Sequence, residues 1–361
     1  MFARMLPSRL CSAGGGSSPS AAATPSSVLS PAATLSRQYA HEVHTLSFRE
    51  IWSKIHEDNV HAIDDDREPG PKLSVLLEPN RDGVEKALRN AVSDPLTGLV
   101  SEYFDHSEHA SDLCLSLQQK VDLARAVYSS LVDLLSVLPS DGNEFSRPQC
   151  DALYAAFCQF DSHENPFPSP DGSGNFDEVH RCSSRLETQL DGCLRKSHSK
   201  LKLQRRAVMG SSLCIAGTAL AAIVTVALVM THAVAAFVCI PCIGAHFPCH
   251  RIRKKELERV AQLKAAWKGT DVLHKYMDNL NCLVKRLHDD MEHDKNLVRI
   301  GLEGGGDRIP ILLVMNDLRK NVSKFQEHLE DLEIHICLGF KMVNRLRQDL
   351  LDKICRQSSA P

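Results

Sequence analysis

The chain has 361 residues, enough for two ordinary domains or for one domain with appendages. Its formal net charge of −3 provides no global basic field, which argues against a nucleic-acid-binding protein. The 13 cysteines lack the regular spacing of a disulfide framework, so we interpret most of them as reduced thiols of an intracellular protein.

Residues 1–40 differ in composition from the rest of the chain, because Ser, Ala, Pro and Gly dominate. Such a segment buries too little apolar surface to offset the entropy of ordering it, and we predict a disordered tail. The tail carries Arg4, Arg9 and Arg37 but no acidic residue, which also resembles an organellar transit peptide. No clear amphipathic Arg helix forms, so the plain disordered tail is favoured.

Residues 41–206 are predicted to form an N-terminal helical region. Ser47 is followed three residues later by Glu50, which is the form of a capping box at a helix start. Two further helices are predicted at 81–92 and 94–106.

A longer helix is predicted next, because apolar residues recur at three- and four-residue steps from Leu113 to Leu138 and Pro139 ends the pattern. Residues 139–176 are rich in Pro, Gly, Ser and Asp and predict a disordered loop with a short helix near 149–160. Another helix is predicted from Asp177 through the basic residues before position 207 and on into the uncharged segment that begins there.

Residues 207–249 contain no Asp, Glu, Lys or Arg. About 20 apolar residues cross the hydrocarbon core of a bilayer, and this segment is about twice as long. We therefore predict a transmembrane hairpin with a turn near 230–233. The second crossing is the weaker one, because it is short and contains Pro241. A wedge in one leaflet is the alternative, and a buried core helix is less favoured.

Basic residues flank this segment on both sides. Positive charge favours the cytoplasmic side of a membrane, so two basic flanks predict an even number of crossings with both termini cytoplasmic. Which membrane is involved is left open. The predicted membrane-flanking residues are Lys200, Lys202, Arg205, Arg206, Arg251, Arg253, Lys254 and Lys255.

Small residues recur every four positions in the first predicted crossing, at Gly217, Ala221 and Thr225. A face of small residues lets a second helix approach closely, either the second crossing or another copy of the chain. Cys249 lies beside the basic flank and is a candidate S-acylation site, with Cys242 a weaker one.

Cysteines and histidines also cluster near the end of the apolar segment. Thiolate and imidazole ligands suit zinc, but the spacing matches no standard zinc site. We interpret these residues as small apolar fillers and predict no metal site. They are Cys239, Cys242, His246, Cys249 and His250.

Residues 250–357 are predicted to form a C-terminal helical pair. Leucines from Leu273 to Leu287 lie at heptad-like spacing, and the 3–4 alternation from Leu318 to Leu350 is typical of a coiled coil. Three glycines at 304–306 separate the two patterns. We favour an antiparallel pair that closes a bundle with the earlier helices, with a partner-binding seam as the alternative. No strand alternation occurs, so we predict an all-α fold.

The common catalytic signatures are missing: the sequence has no phosphate-binding loop, no nucleophile elbow and no zinc-protease motif. We predict a non-enzyme with no catalytic residue and no cofactor. The densest titratable group is interpreted as a solvated helix face. It comprises Asp105, His106, Glu108, His109 and Asp112.

Several short motifs occur along the chain in a characteristic order of helices. They are Tyr103-Phe104 with Ser107 and Cys114, then Phe157, Phe160 and Asn165-Pro166-Phe167, and Asp317-Leu318 through Ile336. Together they resemble a plant family of uncharacterised two-pass membrane proteins, sometimes called integrin-like. The resemblance covers roughly residues 40–355. It implies a plant membrane protein without established enzymatic activity that links a membrane to the cytoskeleton or to signalling.

The leading functional hypothesis is therefore a membrane-anchored helical scaffold, or a signalling-linked protein of the same architecture. Its expected partners are membrane lipid and proteins bound through cytoplasmic helices, with no nucleic acid, and a homo-oligomer is possible. The alternatives are a membrane-shaping hairpin protein and an organelle-targeted membrane protein.

Overall fold

A computed structural model describes the backbone of residues 43, 45–61, 73–90, 95–138, 146–169, 174–228, 246–305 and 307–358. Side chains are described for these residues except 57–61, 90, 95, 174, 207–228, 246–251 and 357–358. No strand occurs in the described residues, which confirms the predicted all-α class. The helices are α1 (Leu46–His61), α2 (Leu73–Leu76), α3 (Arg81–Asn90), α4 (Pro95–Val137), α5 (Arg147–Ser162), α6 (Gly174–Leu228), α7 (His246–Glu303) and α8 (Arg308–Ser358).

The chain divides into two compact units, residues 1–69 and 70–361. In the first unit, α1 begins earlier than the sequence predicts. The backbone N–H of Phe48 donates to Oγ1 of Thr45 at 3.4 Å, so Thr45 caps the helix and the capping box predicted at Ser47 is wrong.

The second unit is built around four long helices, α4, α6, α7 and α8. Long helices that follow one another in the chain run antiparallel, as do α4 and α8. On α4, Gln118 contacts Glu333 of α8 at 2.9 Å, while Leu135, farther along α4, accepts from the earlier Arg319 of α8 at 2.9 Å. The arrangement is an up-down-up-down bundle in which α4 and α7 run in the same direction.

Helix α4 is a single helix from Pro95 to Val137, whereas the sequence predicted a break between 106 and 113. The residues in that interval continue the buried face of the helix. Ser107 and Ser111 are buried, and each hydroxyl donates to a carbonyl one turn earlier, at 2.8 and 2.9 Å. Because these buried residues are polar, the sequence pattern did not indicate that the buried face of α4 is continuous.

Helices α5 and α6 follow one another along the same face of α7. Asp161 at the end of α5 pairs with Arg299 at 2.9 Å, and Asn165 then donates to Glu292 at 3.0 Å. The short helix predicted near 149–160 is thus confirmed as α5. The disordered loop predicted around it is wrong for residues 163–169, because they pack against α7. The aromatic side chains of Phe157, Phe160 and Phe167, all buried, stabilise this packing.

Helices α7 and α8 form the antiparallel pair that the heptad spacing predicts. Gly305 has a φ of +64°, a conformation that side chains disfavour. A Cβ atom at Gly304 would lie 2.8 Å from Cγ of Pro310. The turn therefore depends on glycine at both positions.

Among helices whose side chains the structure describes, none is long and apolar enough to span a membrane. The side chains of the transmembrane hairpin predicted at 207–249 lie outside the described part of the structure. Its backbone is described as helical up to Leu228 in α6 and again from His246 in α7. The predicted tail, residues 1–40, lies outside the described residues altogether.

Candidate functional site

A buried carboxylate connects α4 to α8. Glu333 is only 1% exposed and accepts from both terminal nitrogens of Arg125, at 2.8 and 2.5 Å. The amide of Gln118 donates to the same carboxylate at 2.9 Å. Hydrogen bonding to Glu333 raises the pKa of the Arg125 guanidinium. A bidentate pair of this kind holds two helices in one register.

A second buried polar group lies farther along the bundle. Asp294 of α7 accepts from the Tyr128 hydroxyl of α4 and from the Asn321 amide of α8, each at 2.9 Å. Burial raises the pKa of the Asp294 carboxyl. Burial beside this carboxylate also raises the pKa of Tyr128, whose ring stacks on Phe325 with centroids 4.2 Å apart. One site thus joins three helices.

Arg347 of α8 forms the third buried polar site. Its guanidinium donates to the carbonyl of Pro79 at 2.8 Å, to the carbonyl of Phe104 at 3.1 Å and to the hydroxyl of Ser107 at 2.7 Å. Burial lowers its pKa. The Arg347 side chain thus joins α8 both to α4 and to the connection between α2 and α3. We interpret this site and the two carboxylate sites as structural contacts that hold the helices together.

Histidines gather where α4, α6 and α7 meet. His106 is 6% exposed, and its Nε2 lies 2.8 Å from the hydroxyl of Ser183. Burial lowers its pKa to about 4, with smaller contributions from nearby His109, His274 and Arg185. The interpretation of His106 as part of a solvated face is therefore wrong, because this residue points into the bundle.

Beside His106, the side chains of His180 and His274 face each other across α6 and α7, with ring centroids 5.0 Å apart. Nε2 of His180 lies 3.3 Å from Asp278, and Nδ1 of His274 lies 3.2 Å from Glu187. The sequence does not reveal this group, because His180 is about 90 positions from its two partners on α7. Only the four-residue spacing of His274 and Asp278 is visible locally.

The predicted membrane-flanking residues converge on one end of the bundle. Leu194 of α6 and Val260 of α7 belong to the same buried cluster, and the helices are antiparallel, so both basic stretches extend beyond that end. The side chains of these basic residues are exposed, except that the structure does not describe the side chain of Arg251. We call these residues the basic end: Lys200, Lys202, Arg205 and Arg206 of α6, with Arg253, Lys254 and Lys255 of α7.

For the remaining predicted site residues, the structure describes at most the backbone. Gly217, Ala221 and Thr225 lie on α6 and Cys249 on α7, with their side chains outside the described part. Helix packing at the first three and acylation at Cys249 stay predictions.

Comparison with known proteins gives the family. A model described as "Protein of unknown function (DUF677)" matches residues 87–354. UPF0496 protein At3g19250 of Arabidopsis thaliana is 36% identical over 333 residues, covering 89% of each chain. UPF0496 protein At1g20180 of the same plant is 24% identical over 307 residues, covering 79% of this chain and 77% of the relative.

Putative UPF0496 protein 2 of Oryza sativa subsp. indica is 26% identical over 275 residues, covering 73% of this chain and 65% of the relative. No solved structure matches the chain. The resemblance to an uncharacterised plant family is confirmed, while its two-pass and integrin-like aspects stay predictions. The chain belongs to the DUF677 family, which includes the plant UPF0496 proteins and is described as of unknown function.

Proposed function

We propose that the protein is a non-enzymatic helical scaffold anchored in a membrane by residues 207–249. In this proposal the segment enters and leaves the bilayer on one side, and the bundle lies on that side and binds protein partners. The membrane crossings, their orientation and the partners are all part of the proposal.

The observation that carries the proposal is that helices from both sides of the uncharged segment form one bundle. Helices α4, α5 and the first part of α6 precede the uncharged segment, and most of α7 and all of α8 follow it, yet they share one core. Tyr128 contacts Asp294, and Gln118 contacts Glu333, across that segment in the chain. Helices that have charged, water-exposed faces and share one core cannot lie on opposite sides of a membrane. This supports a segment that returns to its starting side.

The backbone of α6 gives further support, since it is helical without a break from the bundle to Leu228. The part from residue 207 onward is about 33 Å long at 1.5 Å per residue. That length is enough to cross the roughly 30 Å hydrocarbon core. The α6 residues of the basic end lie immediately before this part on the same helix.

The basic end has the composition of a surface that meets lipid headgroups. Each Lys or Arg near an anionic membrane contributes about 1 kcal/mol of attraction. Large apolar side chains are exposed among these basic residues, at Leu203, Ile252 and Leu257. Exposed apolar groups between cations suit the boundary between headgroups and acyl chains.

Deletion of residues 207–249 tests the anchor. We expect the full chain to sediment with membranes and to stay there after alkaline carbonate washing, and the deleted chain to move to the soluble fraction. A matched control replaces the four basic residues of α6 in the basic end by Gln. It should remain in the carbonate-resistant pellet, because it keeps the apolar segment. Continued membrane association of the deleted chain would contradict the proposal.

A membrane-shaping hairpin is the second candidate function. With the turn predicted near 230–233, the second limb ends at residue 249 and has fewer residues than the first, and it contains Pro241. An unequal hairpin occupies more of one leaflet than of the other. Purified protein should then tubulate liposomes in proportion to its surface coverage. Unchanged liposome shape at high coverage would remove this candidate and leave the scaffold proposal intact.

A further inference from the structure

Three side chains of metal-binding type meet at the α6–α7 interface. One potential ligand atom from each of His180, His274 and Asp278 lies within 4.8 Å of those of the other two. Ligand atoms around a tetrahedral zinc ion are about 3.4 Å apart, given metal–ligand bonds of about 2.1 Å. The His180–Asp278 separation of 3.3 Å already matches this value. The remaining atoms need to approach by about 1.4 Å at most.

The helices hold these side chains in a suitable arrangement. His274 and Asp278 are four residues apart on α7, so they project from the same face in successive turns. His180 reaches the same point from α6. Ligands on two packed helices are held more firmly than ligands on loops.

Glu187 of α6 supplies the interaction that often orients a metal-binding imidazole. Its carboxylate lies 3.2 Å from Nδ1 of His274. When Nδ1–H donates to a carboxylate, the ring orientation is fixed and the other ring nitrogen keeps its lone pair for a metal ion. Glu187 is thus a positioning residue.

We propose that His180, His274 and Asp278 bind one divalent transition-metal ion of the zinc class, which links α6 to α7. Two imidazoles with one carboxylate favour zinc and neighbouring first-row metals over calcium and magnesium, which prefer all-oxygen sites. Asp278 has a side chain that is 62% exposed, so the ion enters from solvent and water completes the coordination.

Cobalt(II) binding to the full-length chain in detergent, after removal of metals with a chelator, tests this site. We expect one Co²⁺ per chain, with d–d absorption but no thiolate-to-cobalt charge-transfer band, because the ligands are nitrogen and oxygen. Asp278→Asn and His180→Ala should each weaken binding at least tenfold. The control His198→Ala removes an exposed histidine of the same helix and should bind cobalt like the parent.

Zinc should also raise the midpoint of thermal unfolding of the parent by about 5 °C at 100 times its Kd, and should not do so in Asp278→Asn. Circular dichroism checks that both variants remain helical. The proposal is overturned if no cobalt binds or if His180→Ala and Asp278→Asn bind as tightly as the parent. A strong thiolate band would also overturn it and would move the ligands to the cysteines.

Discussion

At the scale of single residues, the bundle contains charges and polar groups that the heptad pattern does not reveal. Glu333 and Asp294 lie among apolar positions, and each is buried with partners from other helices. The periodicity of apolar residues reveals the buried face of a helix. It does not reveal which polar residue on that face contacts a partner, because the partner is distant in sequence. The same limit hid the group formed by His180, His274 and Asp278.

The Arg125–Glu333 pair should contribute more to stability than an exposed pair of the same type. A double-mutant cycle with Arg125→Met and Glu333→Gln should give a coupling free energy of about 1–3 kcal/mol, because Glu333 is buried. The matched control is the exposed pair Asp191–Arg195 on α6, for which about 0.5 kcal/mol or less is expected. Chemical denaturation of the four proteins in each cycle measures both values. Equal coupling in the two cycles would contradict the structural role of Glu333.

His106 should make the bundle sensitive to acid. Its pKa is about 4 in the folded chain, below its unfolded value of 6.5. The unfolded chain therefore takes up the proton first, so stability is full above pH 6.5 and is lost as the pH falls toward 4. At pH 5 the loss from this residue is about 2 kcal/mol.

The variant His106→Gln tests this contribution, because glutamine stays neutral. Thermal unfolding of both proteins at pH 7 and pH 5 gives the comparison. The midpoint of the parent should fall further between the two pH values than that of the variant. An equal fall in both proteins would assign the acid sensitivity to other groups.

At the scale of helices, the segments with the most regular apolar spacing were correctly predicted to be long helices. The apolar stripe ending at Leu138 and the heptads around the glycine turn each correspond to a long helix, since a sustained 3–4 spacing has few other uses. Prediction failed where polar or loop-forming residues are buried. The polar residues Ser107 and Ser111 concealed the continuity of α4. The loop-forming residues after α5 concealed an ordered segment in which Phe167 is buried.

Glycines within helices permit close contacts that the heptad pattern does not specify. A Cβ atom at Gly339 of α8 would lie 2.5 Å from the ring of Tyr276 on α7. Gly339→Ala should therefore destabilise the bundle by about 1–3 kcal/mol, as expected for overpacking. Denaturant unfolding measures the change.

The control for this substitution is Gly192→Ala in α6, where no atom lies within 4 Å of the added Cβ. Alanine is the better helix former, so this variant should be more stable by about 0.5–1 kcal/mol. Opposite signs for the two variants would support the packing of α7 against α8. Stabilisation by Gly339→Ala would show that Tyr276 moves aside without cost.

At the scale of the whole molecule, the sequence predicted an all-α bundle closed by an antiparallel C-terminal pair, and the structure has one. The side-by-side position of the two basic stretches was not visible in the sequence. It follows from the antiparallel packing of α6 and α7, which brings residues about 50 positions apart to the same end. The proposed anchor at 207–249 still rests on its uncharged composition and on this geometry.

The most direct test of the anchored-scaffold proposal is protease protection in sealed, cytoplasmic-side-out vesicles, with a different tag at each terminus. A bundle that joins helices from both sides of the apolar segment requires both tags to be digested without detergent. The sequon Asn321-Val322-Ser323 should then remain unglycosylated. Protection of one tag alone would indicate a single crossing. That result would contradict the proposal, because α4 and α8 cannot then contact each other in one bundle.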